Sequence, residues 1–134
     1  MVINVNMNHH RRVSPAALRI AERRQREDDA PRLRNEVPGL VSLRLEIEDR
    51  AGVTSTSHIR RVVVDNAPAL FLLPCLDPRC MDGEHDLTWP VMRALRSHDT
   101  SFQGSDDCRG SVGTTACPRV VHFNAIAEYQ TVES

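Results

Sequence analysis

Lysine is absent from this 134-residue sequence, and all 17 basic residues are arginine. Such a bias fits a GC-rich, bacterial-like composition. It also excludes a phosphate loop of the G-x-x-x-x-G-K form. Aromatics are scarce too, at three Phe, one Trp and one Tyr, so platforms for stacking single-stranded bases are few. The start, MVINVNMNHHRRV, has no apolar h-region of the secretory kind. The longest apolar run, APALFLLPC, falls far short of the ~20 residues that span a bilayer. These absences predict a cytoplasmic protein with no membrane partner, whose thiols stay reduced.

Catalytic signatures are missing as well. There is no G-x-S-x-G elbow and no H-E-x-x-H. MDGEH has Met81 where H-x-x-E-H requires histidine, and no H-x-E is followed by the P-C-x-x-C of zinc deaminases. His9-His10 and Arg11-Arg12 read as a solvated terminus, and His122 as a surface histidine.

What is present divides unevenly. Residues 1–36 hold eight arginines and five acids, whereas residues 37–134 hold nine arginines and thirteen acids. A balance of +3 against -4 assigns the positive charge to an N-terminal arm. Ser14-Pro15 starts a helix by capping and by proline at the first position, and the pattern carries it to about Glu27. Its apolar stripe is short (Ala17, Leu18, Ile20, Ala21), so it has little to bury. DDAPRLRNEVPG follows as a linker. The expected division is therefore an arginine-rich helical arm over 1–36 and an α+β domain over 37–134.

In the domain, LVSLRLEIED alternates with Val41, Leu43, Leu45 and Ile47 on one face, which predicts a half-buried strand. TSHIRRVVVD and ALFLLP predict a second and a third. A helix starts at Thr88 or Asp86 and turns Val91, Met92 and Leu95 inward, with Arg93 and Arg96 outward. The stretch from His98 to Pro118 reads as loop around a few extended residues near Phe102. RVVHFNAIAEY returns to alternation, with Val121, Phe123, Ala125, Ala127 and Tyr129 inward. The expected fold is α+β, a small antiparallel sheet of about four strands with one packed helix.

The four cysteines fall in two pairs, Cys75 with Cys80 and Cys108 with Cys117. If the third and last strands are antiparallel neighbours, both pairs meet at one sheet edge. Two loops carrying two thiolates each are a common way to hold a structural zinc ion. The spacings, C-x4-C and C-x8-C, differ from the C-x2-C of zinc ribbons. Pro74, Pro78 and Gly83 shape the first loop, and Gly104, Gly110 and Gly113 the second. His85 is an alternative fourth ligand, and disulfides or a redox pair are a further alternative. Four thiolates close the coordination sphere, which argues against a catalytic metal.

Asp77, Asp82, Glu84 and Asp86 solvate the first loop or bind a basic partner, including the protein's own arm in trans, and Asp106 and Asp107 extend that acidic surface. Together these features predict a non-catalytic, zinc-stabilised adaptor or regulatory module that binds a protein partner. Its partner-binding residues are expected to be Leu18, Arg19, Ile20, Arg23, Arg24 and Arg26. The alternatives are a nucleic-acid-associated regulator using the arm on phosphate, and a thiol redox sensor or small metalloenzyme.

Overall fold

A computed structural model of the chain describes residues 14–51 and 53–131. His9, His10, Arg11 and Arg12 lie outside them. Helix α1 spans Pro15–Asp29. Ser14 caps it, its side-chain oxygen accepting from the Ala17 N–H at 3.1 Å, and this satisfies one of the unpaired donors of the first turn. At the other end the Arg32 guanidinium donates to the carbonyls of Glu27 and Ala30, placing a cation against the negative end of the helix. No residue of α1 is buried.

The linker expected after the arm is partly core. A short helix, α2 (Leu33–Glu36), puts Leu33 wholly inside, with Val37 and Leu40 beside it. The Leu33 N–H donates to the Ala67 carbonyl at 2.9 Å, and the Ala69 N–H donates to that of Pro31 at 2.7 Å. Linker composition concealed a single deeply seated leucine.

The main sheet is antiparallel, in the order β2-β1-β8-β5. Its strands are β1 (Leu40–Ala51), β2 (Thr54–Val62), β5 (Ser101–Asp107) and β8 (Val120–Tyr129). Leu43, Leu45 and Ile47 of β1 face Val121, Phe123, Ala125 and Ala127 of β8 on the inner side. Helix α3 (Thr88–Arg96) covers that side with Val91, Met92 and Leu95. Arg44, Glu46, His122 and Asn124 alternate onto the opposite, polar face, as half-buried strands require. Val41 does not join the inner row. A register shift between Leu40 and Ser42 exposes it and buries Leu40 instead, since one extra residue flips the face a side chain occupies.

Two expectations about strands are corrected. The third apolar run does not enter the main sheet: β3 (Leu72–Pro74) pairs only with β4 (Glu84–Asp86) in a separate ribbon. The fourth sheet position is taken by β5, which extends the few strand residues expected near Phe102 to seven, and the rest of that expected loop forms the hairpin of β6 (Ser111–Val112) and β7 (Thr115–Ala116). The sequence of β5, SFQGSDD, offers one large apolar residue, Phe102, whose ring meets Phe123 edge-on at 6.2 Å. Pairing with β8 makes β5 a strand, and its own hydrophobicity does not.

Candidate metal centre

Each cysteine stands at the end of an element or turn. Cys75 follows β3 directly, and Cys80 closes the turn Asp77–Cys80, where its N–H donates to the Asp77 carbonyl at 3.0 Å. Aspartate first and proline second suit such a turn, and the Asp77 carboxylate also accepts from the Arg79 N–H at 2.9 Å. Cys108 follows β5, and Cys117 follows β7. The two loops are joined through their backbones. Met81 and Ser111 exchange hydrogen bonds of 2.8 and 3.2 Å, and the Arg109 N–H donates to the Glu84 carbonyl at 3.3 Å.

The four sulfurs therefore converge. Cys75 Sγ lies 3.8 Å from Cys117 Sγ, and Cys80 Sγ lies 3.6 Å from Cys108 Sγ. All four lie within 4.8 Å of one another, close enough to hold a metal ion. Cys80, Cys108 and Cys117 are buried and Cys75 is partly so. The convergence arises otherwise than the sequence implied. The β3–β4 ribbon, not a neighbour of β8, carries the first pair to the second.

Two glycines permit the approach. A Cβ on Gly83 would sit 2.5 Å from both Cys75 Cβ and Cys80 Sγ; one on Gly110 would sit 2.5 Å from Cys80 Sγ and 2.7 Å from Gly83 Cα. The two backbones thus press on the sulfurs from one side. Gly110 also aims its N–H at Cys108 Sγ, at 3.4 Å, an outer contact of the kind that supports thiolate ligands.

Burial acts on the charge of the thiols. Burial, with contacts to neighbouring thiols, pushes the Cys75 thiol up to about 11, and burial raises Cys80 further still. At Cys117 burial also acts upward, yet the Arg119 backbone N–H and the three other thiols hold the group below its ordinary value. Four thiolates at this separation repel one another and require a positive ion between them.

His85 is not brought to the cluster. It is fully buried, and its Nδ1 lies 3.1 Å from the Asp106 carbonyl, which can only accept, so Nδ1 carries the proton. The acidic residues also differ from a merely solvated loop. Asp77 is buried, and hydrogen bonds from the Arg79 side chain and backbone hold its carboxyl below the usual range. Asp86 Oδ1 accepts from the Thr88 N–H at 2.9 Å as α3 begins. Thr88 Oγ1 instead takes the Phe71 N–H at 2.8 Å. Asp106 Oδ2 accepts from the Asp86 N–H at 2.9 Å and from Arg109 at 2.7 Å, joining β4 to β5. Of the six arm residues, Arg19, Arg23 and Arg26 lie against this loop, with ion-pair distances of 3.6 Å to Asp82, 3.6 Å to Glu84 and 2.9 Å to Glu84. Leu18, Ile20 and Arg24 are exposed.

Sequence reading missed Asp49, although strict alternation places it on the apolar face of β1 below Ile47. It is 3% exposed and accepts from Arg119 Nε at 3.0 Å. The Arg119 carbonyl in turn takes the Cys108 N–H at 3.0 Å. One residue thus fastens the second cysteine loop to the sheet. Asp49→Ala is expected to destabilise the protein by about 1–3 kcal/mol, because Arg119 is left in a half-closed site without its partner. Equilibrium urea unfolding with an unchanged slope would measure it.

Among the described residues, no helix is long and apolar enough to cross a membrane. Comparison of the chain with protein-family models, with curated proteins and with solved structures finds no match.

Proposed function

We propose that Cys75, Cys80, Cys108 and Cys117 hold one structural zinc ion and that the domain so stabilised is a non-catalytic, cytoplasmic protein-interaction module. The sulfur geometry carries the reading. Zinc–sulfur bonds of about 2.3 Å in a tetrahedron place sulfurs about 3.8 Å apart, and two of the pairs stand at 3.6 and 3.8 Å. With all four positions filled by protein there is no place for water or substrate, the arrangement of structural rather than catalytic zinc. A small domain with two loop-rich segments gains most from such a staple.

The arm supports a protein partner over nucleic acid. Its arginines Arg19, Arg23 and Arg26 meet carboxylates in cis, whereas Leu18, Ile20 and Arg24 stay exposed for contact with another surface. The test is elemental analysis of protein purified under reducing conditions, where one zinc per chain is expected. Iron in equal amount would replace the metal assignment, and cysteines isolated as disulfides without metal would overturn it. For the partner class, weak single-stranded DNA binding with a shallow salt dependence is expected. A steep dependence would move the assignment to phosphate recognition.

A further inference from the structure

This inference rests on the metal reading above. Helix α1 has fifteen residues and buries none of them, and a helix of that length is marginal by itself in water. Charge is what seats it. Arg19, Arg23 and Arg26 recur at spacings of four and three and so share one face. Among the described residues that face meets two carboxylates: Asp82 pairs with Arg19, and Glu84 takes Arg23 together with both contacts from Arg26, at 2.9 and 3.2 Å.

The seat is the metal loop itself. Asp82 and Glu84 flank Gly83, whose backbone leaves no room for a Cβ against Cys75 and Cys80. The Gly83 carbonyl takes the Cys75 N–H at 3.2 Å, and the Glu84 carbonyl takes that of Arg109 from the other cysteine loop. Among the described residues Asp82 is one of two non-glycine residues with positive φ, at 56°, a region that few side chains other than Asn and Asp adopt readily. The positions of both carboxylates therefore depend on how the sulfurs are held.

We propose that metal occupancy of the four-cysteine centre and docking of α1 are coupled through Asp82-Gly83-Glu84. Metal fixes the loop and thereby forms the seat for the arginine face. Without metal the seat is lost, and Arg19, Arg23 and Arg26 are freed for an acidic partner. The coupling is reciprocal: whatever factor metal contributes to docking, docking returns to metal affinity.

Reciprocity supplies the test. Zinc affinity of the full-length protein is measured by competition with a chromophoric chelator at low salt. The wild type is compared with the triple variant Arg19→Gln/Arg23→Gln/Arg26→Gln and with Glu84→Gln. Both variants are expected to bind zinc more weakly, by roughly threefold to thirtyfold, the triple variant losing three partly exposed ion pairs and Glu84→Gln two, and the difference should shrink at 1 M salt, where screening is strong. Glu84→Gln is the decisive member. A zinc tetrathiolate carries a net charge of -2, so deleting a nearby carboxylate would by field alone tighten the site. Weaker binding in that variant supports coupling, and unchanged or tighter binding overturns it. Hydrogen exchange gives a second readout, since α1 amides should lose protection in Glu84→Gln loaded with zinc. A wild type that binds no zinc refutes the metal centre, a result distinct from equal zinc affinity in all three proteins.

Discussion

Cys80→Ser is expected to abolish stoichiometric zinc binding and to remove cooperative unfolding at physiological temperature. Cys80 is one of the three buried cysteines. Its sulfur touches Cys108 and lies where a Cβ on either Gly83 or Gly110 would fall. A serine oxygen there is shorter, harder and protonated at neutral pH, so it does not replace a thiolate for a soft, tetrahedral site. Structural zinc contributes on the order of 10 kcal/mol of binding free energy, comparable to the whole stability of a small domain. Three remaining thiolates recover a fraction of that. Circular dichroism melting of the variant and wild type, each with zinc and with chelator, measures the effect. The wild type in chelator should resemble the variant in zinc. A variant that melts as the wild type does, alongside wild-type protein that contains no zinc, would return the cysteines to ordinary packing.

The elements read correctly from sequence are those whose pattern is self-sufficient. The inner row of β8, from Val121 through Ala127, is buried as its alternation required, and Val91, Met92 and Leu95 of α3 face the core. Ser14-Pro15 starts α1 where local chemistry placed it. The four cysteines were legible as a group because they fall in two pairs, each in a loop shaped by glycine or proline. Elements that depend on distant partners were not legible. Nothing in SFQGSDD distinguishes an edge strand from a loop until β8 is alongside, and nothing in ALFLLP says that it will pair with Glu84–Asp86 instead of the main sheet. The short apolar stripe predicts an exposed arm, and the acidic loop was a candidate to bind it in trans; the contact forms within one chain. What seats it is complementary charge 58 residues away between Arg26 and Glu84, which no local window contains.

Shortening the chain separates the arm from the domain, and the edge matters by a few residues. A chain beginning at Pro31 is expected to keep the sheet, the cooperative transition and the metal, because α1 contributes no buried side chain and its ion pairs are partly exposed, each of small net value. A chain beginning at Val37 is expected to fail. It loses Leu33, which has no exposed surface, at a cost of about 2–5 kcal/mol for the vacated volume. It also loses the Pro31 carbonyl that takes the Ala69 N–H, and the Leu33 N–H that satisfies Ala67, each lost hydrogen bond adding roughly 1 kcal/mol or more where the remaining group stays buried. The segment 67–69 leads into Phe71 and β3, so loosening it reaches the loop that carries Cys75. Urea unfolding of the two shortened chains, both saturated with zinc, measures the difference. A midpoint for the Val37 chain close to that of the Pro31 chain would show that the core closes without Leu33. A collapse of both would show that α1 stabilises the domain by more than its salt bridges can supply.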